Sequence, residues 1–128
     1  MTDAARAYLL NNGWSDSTLD VWLRAKGRCE YCGKNLQAHS DDYFYGYNID
    51  HVVSASLEGA SEFNNCALAC RSCNLIKRNV DFRSPGETPS RSELIKRASD
   101  YIHRKRKRNE ERLLEHMPYL KALGLFGP

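Results

Sequence analysis

The chain has 128 residues, a net charge of +3 and five cysteines. This length suits one domain with a modest core. No apolar run reaches the roughly 20 residues that a membrane-spanning helix needs, which argues against a membrane partner. The first residues, MTDAARAYLLNNG, carry an early acidic residue and no long apolar segment, so they do not predict a signal peptide. Together these features predict a cytoplasmic protein, whose thiols stay reduced.

Charge is distributed unevenly along the chain. Residues 1–69 hold 5 basic and 9 acidic residues, whereas residues 70–128 hold 14 basic and 7 acidic residues. A basic C-terminal half beside an acidic N-terminal half indicates that one surface meets a polyanion. Solvated helix faces would give the same distribution, so charge alone does not decide between the two interpretations.

The N-terminal part of the chain is predicted to form two helices. The first covers residues 3–11 and ends at an Asn-Gly pair, a typical C-terminal signal. The second is predicted to begin with Ser17 as its N-cap and to end at Gly27. Trp22 and Leu23 in this second helix are predicted to lie in the core.

The middle of the chain predicts two strands and a short helix. Residues 45–53 are rich in aromatic and β-branched side chains, which favours a strand. A loop is predicted over residues 57–64. The short apolar stretch NCALA predicts a second strand, and RSCNLIKRN predicts the helix that follows it.

A long C-terminal helix is predicted over residues 91–116. Ser90 and Glu93 have the spacing of a capping box, and Pro118 is predicted to lie beyond the end of the helix. Its middle contains the basic segment His103–Arg108, which is followed by further polar residues. A helix that is polar all round does not pack in a core at that point.

Four of the cysteines form two pairs with a two-residue spacer. These are Cys29 with Cys32 and Cys70 with Cys73. Zinc prefers tetrahedral thiolate coordination, so in a reduced chain the two pairs predict a single four-cysteine zinc site. Such a site has no open position for water, which predicts a structural role. Two redox pairs are the alternative, but no βαβ pattern surrounds either pair. Cys66 is predicted to be a small core residue.

The segment NIDHVVSASLEGASEFNNCALACRSCN resembles the motif of the HNH endonucleases. The matching positions are Asp50-His51, Asn65 and Asn74, with 13 residues between His51 and Asn65 and 8 between Asn65 and Asn74. The resemblance covers about residues 24–80. It implies an α+β fold in which a ββα-metal core is stapled by the zinc site, with N-terminal helices and the long C-terminal helix flanking it in one domain, residues 1–128.

The resemblance also implies a metal-dependent hydrolysis of DNA phosphodiester bonds. His51 would activate water, since the ordinary pKa of an imidazole is about 6.5. Asp50 and Asn74 would hold a divalent ion, and their oxygen ligands suit Mg²⁺ or Mn²⁺. Asn65 would position His51 by tying the loop to the nearby backbone. Low sequence specificity or nicking is expected.

Seven basic residues are predicted to contact DNA phosphates. They are Lys77, Arg78, Arg104, Lys105, Arg106, Lys107 and Arg108. The competing interpretation is that these side chains are only solvated. Phosphate contacts of this kind add affinity without sequence information.

Two other functions compete with a stand-alone nuclease. One is a non-catalytic, zinc-stabilised DNA-binding module, against which the intact Asp50-His51 pair argues. The other is a nuclease subunit whose long C-terminal helix binds a protein partner or associates with a second copy. The apolar residues at both ends of that helix permit this second alternative.

Overall fold

A computed structural model describes residues 3–54, 57, 59 and 62–127. The elements in chain order are α1 (Asp3–Asn11), α2 (Asp16–Ala25), α3 (Ser40–Tyr45), β1 (Tyr47–His51), β2 (Cys66–Cys70), α4 (Arg71–Lys77) and α5 (Arg91–Ala122), with a 3-10 turn (Phe63–Asn65) directly before β2. This is the predicted α+β arrangement of a strand pair followed by a helix, with helices on both sides in sequence. The loop predicted over residues 57–64 lies partly outside the described residues. No helix in the described ranges is long and apolar enough to cross a bilayer.

The two strands form an antiparallel pair that continues directly into α4. Tyr47 pairs with Cys70 at one end, and His51 pairs with Cys66 at the other. All five residues of β2 are buried, whereas β1 buries only Asp50. Strand β1 is two residues shorter at each end than the strand predicted over residues 45–53.

Helix α2 begins two residues earlier than predicted. Its N-cap is Ser15, whose side-chain oxygen accepts a hydrogen bond from the Thr18 amide at 3.2 Å. Ser17, the predicted cap, lies inside the first turn. Trp22 is buried, as predicted, but Leu23 is 44% exposed, so its assignment to the core was wrong.

Helix α3 was not predicted, because its aromatic residues favour a strand when they are considered alone. The helix is held by tertiary contacts of Tyr43. The ring of Tyr43 packs at 5.9 Å from Trp14 and at 5.8 Å from Trp22, measured between ring centroids. The Trp14 indole N–H also donates to the Tyr43 hydroxyl at 3.2 Å.

Helix α5 has 32 residues, which gives a length of about 48 Å. Its N-cap is Ser90, which accepts a hydrogen bond from the Glu93 amide at 3.2 Å, as the capping pattern predicts. The predicted end at His116 was wrong, because the helix continues through Pro118 to Ala122. Pro118 removes one helical hydrogen bond in an exposed segment, where water can solvate the carbonyl that loses its partner.

The core lies between α2, the strand pair, α4 and the first part of α5. Its buried residues are Val21, Trp22, Cys29, Tyr31, Leu36, Val52, Cys66, Ala67, Leu68, Ala69, Cys70, Cys73, Leu94, Ala98 and Ile102. Cys66 is 7% exposed and lies outside the group formed by the other four cysteines, which confirms it as a core residue.

Candidate functional site

The two cysteine pairs meet at one point of the fold. The sulfur atoms of Cys29, Cys32, Cys70 and Cys73 all lie within 4.8 Å of one another. The Cys32 and Cys70 sulfurs are 3.7 Å apart. A tetrahedral zinc site with Zn–S bonds of about 2.3 Å has sulfur–sulfur edges of about 3.8 Å. The donor set and its spacing therefore fit a structural metal ion such as zinc.

The first cysteine pair lies in a tight turn that is attached to β2. Within the turn, the Cys29 amide donates to the Lys34 carbonyl at 2.9 Å. Glu30 then exchanges two hydrogen bonds with Leu68. Its amide donates to the Leu68 carbonyl at 2.8 Å, and its carboxylate accepts from the Leu68 amide at 2.7 Å. The turn is thus fixed to the strand that leads into the second pair.

A cleft of about 200 Å³ opens where the end of β1 meets α4. Its lining residues are Asn48, Ile49, Asp50, His51, Ser54, Asn74 and Arg78. Asp50 and His51 are neighbours on a strand, so their side chains leave it on opposite sides. Both nevertheless line this cleft at the end of the strand, and Asn74 joins them from the helix.

Asp50 is held from the interior side by two donors. Its Oδ2 atom accepts a hydrogen bond from the Tyr31 hydroxyl at 2.5 Å and lies 3.1 Å from the Lys77 ammonium nitrogen. Burial raises the pKa of Tyr31, and the negative charge of Asp50 raises it further, so the phenol stays protonated and donates. Sequence reasoning missed Tyr31, although it lies between the paired cysteines Cys29 and Cys32.

Lys77 is fully buried, with 0% exposure. Besides Asp50, its ammonium group donates to the His51 carbonyl at 3.0 Å. The prediction that Lys77 contacts DNA phosphate is therefore wrong, because its side chain is not accessible to a ligand. Helical spacing explains its position, since Lys77 lies four residues after the buried Cys73 and thus on the same face of α4.

Asn65 ties the chain that follows His51 to the start of β2. Its side-chain oxygen accepts from the Val53 amide at 2.8 Å, and its side-chain nitrogen donates to the Val53 carbonyl at 3.0 Å. Its backbone carbonyl accepts from the Val52 amide at 2.8 Å. The backbone contact expected of Asn65 is thus present, two residues beyond His51.

The sequence of this region is similar to that of known proteins. Residues 29–79 match the family model of the HNH endonucleases. This segment, about two fifths of the chain, is therefore similar to the HNH endonucleases, and we call it the HNH domain. It contains both cysteine pairs and all the residues of the cleft. No solved structure matches the chain significantly.

Two curated proteins are each similar to slightly less than half of this chain. The type IV methyl-directed restriction enzyme EcoKMcrA of Escherichia coli (strain K12) is 33% identical over 61 residues, which is 46% of this chain and 22% of that protein. The SPbeta prophage-derived protein YoqL of Bacillus subtilis (strain 168), which is labelled an HNH endonuclease, is 29% identical over 73 residues, which is 48% of this chain and 29% of that protein. The match therefore spans less than a third of either relative.

Arg78 lies at the rim of the cleft in the HNH domain. It is exposed and directly follows α4, with φ 52° and ψ −135°. This backbone region favours glycine, and a larger residue is held there at a cost of order 1–3 kcal/mol. The structure thus places an arginine side chain beside Asp50, His51 and Asn74 at some cost in stability.

The basic segment of α5 has two faces relative to the HNH domain. Arg104, Lys105, Lys107 and Arg108 are exposed. Arg106 is half-buried, and its Nη2 atom lies 3.1 Å from the Cys73 sulfur. Four of the five predicted DNA contacts in this segment therefore face solvent, and one faces the cysteine cluster.

Proposed function

We propose that this protein is a metal-dependent DNA endonuclease that hydrolyses phosphodiester bonds. The observation that carries the proposal is the cleft in which Asp50 and His51 from β1 meet Asn74 from α4. The sequence similarity to a restriction enzyme and to a protein labelled an HNH endonuclease supports it. We propose further that the protein acts as one cytoplasmic domain with low sequence specificity or as a nicking enzyme, and that the cysteine cluster holds zinc.

Asp50 and Asn74 would hold the catalytic divalent ion. A carboxylate and an amide oxygen are hard ligands, which suit Mg²⁺ or Mn²⁺. Oδ2 of Asp50 already accepts from Tyr31 and Lys77, so Oδ1 is the oxygen that would face the ion. When bound, such an ion supplies Lewis-acid stabilisation of the charge that develops on the phosphate and the leaving oxygen.

His51 would act as the general base. Its imidazole accepts a proton from the water that attacks phosphorus, a step that contributes about 10²–10⁴-fold to the rate of such enzymes. The backbone that carries the His51 side chain is held at two points. Lys77 binds the His51 carbonyl, and Asn65 binds Val53 two residues later. Asn65 and Lys77 are therefore positioning residues for His51, and Arg78 would bind the substrate phosphate at the rim.

Plasmid cleavage tests the proposed activity. Purified protein should relax or linearise supercoiled plasmid with Mg²⁺ or Mn²⁺, and EDTA should stop the reaction. His51→Ala should lower the rate by about 10²-fold or more, because the general base is lost. His116→Ala, an exposed histidine on α5, is the matched control and should cleave like the unaltered protein. Cleavage by a folded His51→Ala protein at the unaltered rate would contradict the assignment.

The metal ligands need a variant that does not simply unfold the protein. Replacing Asp50 alone would leave the buried charge of Lys77 without its partner, which is strongly destabilising. The double variant Asp50→Asn with Lys77→Met removes both charges together and should keep the fold. It should require much more Mg²⁺ for cleavage, as should Asn74→Ala. An unchanged Mg²⁺ dependence in both variants would place the ion elsewhere.

The exposed basic residues of α5 are tested by the salt dependence of DNA binding. Replacing Arg104, Lys105, Lys107 and Arg108 with Gln should weaken binding to all sequences alike. It should also flatten the dependence of affinity on salt, because fewer counterions are released from DNA. Cleavage at saturating DNA should persist. The control is Lys96→Gln, an exposed lysine nearer the start of α5; an equal salt slope in the two proteins would exclude phosphate contacts by this segment.

The end of α5 favours a second possibility, a nuclease that associates through this helix. Leu114 is 66% exposed, Tyr119 is 75% exposed and Leu123, just beyond the helix, is 80% exposed. Sedimentation equilibrium tests this directly. Association that is lost on Leu114→Glu would support it, and a monomer at every concentration would exclude self-association.

A further inference from the structure

Arg106 points away from solvent toward the cysteine cluster. Its Nη2 atom lies 2.7 Å from the Ser72 hydroxyl oxygen, 3.1 Å from the Cys73 sulfur and 3.9 Å from the Cys70 sulfur. That nitrogen carries two hydrogens, so the two shorter contacts account for both. The neighbouring residues of the basic segment, including Arg104, are exposed instead.

The position of Arg106 follows from the pattern of α5. Ala98 and Ile102 are buried, and Arg106 is the next residue at the same four-residue spacing. A third apolar residue would extend the buried stripe by another turn. The structure instead presents a guanidinium at this point, and the surface that it meets consists of sulfur atoms and a hydroxyl group.

The charge of a loaded cysteine site explains why a cation suits this position. Cysteine binds metal as the thiolate, so four thiolates around Zn²⁺ carry a net charge of −2. Cys32 is exposed, but Cys70 and Cys73 are only 2% and 0% exposed, so solvent does little to offset the charge on these two sulfurs. A guanidinium donates hydrogen bonds in a fixed geometry and keeps its charge at any physiological pH.

We propose that Arg106 is a positioning residue of the metal site. It donates hydrogen bonds toward the thiolate of Cys73 and the hydroxyl of Ser72, offsets part of the negative charge of the site and slows the release of zinc. It also connects α5 to the metal site, one turn beyond the last buried residue of the helix. The inference rests on zinc binding by the cysteines and is independent of nuclease activity.

The rate of zinc release tests the role of Arg106. The full-length protein is loaded with one zinc ion per chain, and transfer of zinc to an excess of a chromogenic chelator is followed by absorbance. Arg106→Gln should release zinc about 10-fold faster, the lower end of the range for loss of such an outer partner. Arg106→Lys keeps the charge but loses the fork geometry of the guanidinium. Its rate of zinc release should lie between those of the unaltered protein and Arg106→Gln. Arg104→Gln, with the same change in charge on an exposed neighbour, should release zinc at the unaltered rate.

Equal release rates for Arg106→Gln and Arg104→Gln would overturn the proposal. If Arg106→Gln does not fold, Arg106→Lys decides, and release at the unaltered rate by that variant overturns it. Metal analysis of the purified protein separates this inference from the proposed enzyme. A chain without zinc would refute the role of Arg106 whether or not the protein cleaves DNA. A zinc-loaded but inactive chain would refute the nuclease and leave this role intact.

Discussion

The two halves of α5 differ in what holds them in a helix. The proximal half, residues 91–102, buries Leu94, Ala98 and Ile102 against the core. In the distal half, residues 103–122, which the structure describes throughout, no side chain is buried. One continuous helix is thus supported by tertiary packing over its first three turns and mainly by local interactions over the rest.

This contrast shows that helical continuity does not imply uniform stability. The distal half is rich in Arg, Lys, Glu and Leu, which have high helix propensity, but propensity contributes only tenths of a kcal/mol per residue. Most of the stability of helices in proteins comes from the tertiary packing of one face, and the distal half buries no side chain. We therefore expect the amides of the distal half to exchange with solvent through local opening, and those of the proximal half only through larger unfolding.

The largest expected effect comes from removing the metal site, which contacts the core and, through Arg106, the distal half. Cys73→Ser should leave the HNH domain unfolded, because zinc binding to four cysteines contributes on the order of 10 kcal/mol to folding. Circular dichroism and metal analysis measure this. Cys66→Ser, which alters a buried cysteine outside the cluster, is the control and should retain zinc. A zinc-free Cys73→Ser protein that melts like the unaltered chain would contradict a structural role.

The next effect concerns the buried lysine beneath the proximal half. Lys77 lies 6.0 Å from the Phe82 ring centroid, and Phe82 packs on Tyr101 of α5 at 5.5 Å. Lys77→Ala should lower the free energy of unfolding by about 3–5 kcal/mol, because Asp50 is left buried without its partner charge. Urea denaturation measures the change. A loss below about 1 kcal/mol would show that Asp50 is solvated when Lys77 is absent.

A matched pair of truncations compares the two halves of α5 directly. Ile102→Ala should lower the free energy of unfolding by about 2–5 kcal/mol, since its side chain is 1% exposed. Leu114→Ala should change it by no more than about 0.5 kcal/mol, since that side chain is 66% exposed. Urea titrations at several protein concentrations measure both. Similar losses at the two positions would mean that the distal half is covered in solution.

The smallest expected effect is that of Pro118. Pro118→Ala restores a backbone donor and removes a helix-breaking residue, which costs about 3 kcal/mol within a helix. Because the distal half is exposed, the gain should appear locally, as slower hydrogen exchange around Leu114. The global free energy of unfolding should change by less than about 0.5 kcal/mol. A rise of 2 kcal/mol or more would show that both halves unfold as one unit.

The predictable part of the molecule is the part in which spacing alone fixes geometry. Two cysteine pairs with two-residue spacers can meet in only a few ways, and the structure brings all four together. The Ser90 cap and the buried stripe of α5 follow from local patterns in the same way. The cleft residues Asp50, His51 and Asn74 came from the family motif, and the structure places them side by side.

The unpredicted features depend on contacts between distant parts of the chain. Lys77 and Arg78 are adjacent in sequence, yet one is fully buried and the other is exposed at the cleft. The sequence around Lys77 gives no sign that its ammonium group binds Asp50 and the His51 carbonyl in the interior. Helix α3 was missed for the same reason, because its support comes from Trp14 and Trp22 in other elements. In each case the deciding partner lies more than twenty residues away.

The cysteine turn that begins at Cys29 also constrains how this protein can be altered or can evolve. Tyr31, inside that turn, donates to Asp50, a residue of the cleft. Exchanging the turn for another Cys-x-x-Cys turn without a tyrosine would keep its two sulfur ligands but remove the phenol that donates to the Asp50 carboxylate. Insertions and deletions between Cys29 and Cys32 would likewise alter both places at once. Substitutions in the turn are therefore constrained twice. A change that leaves the cysteine site intact can still disturb Asp50, which is proposed to hold the catalytic ion.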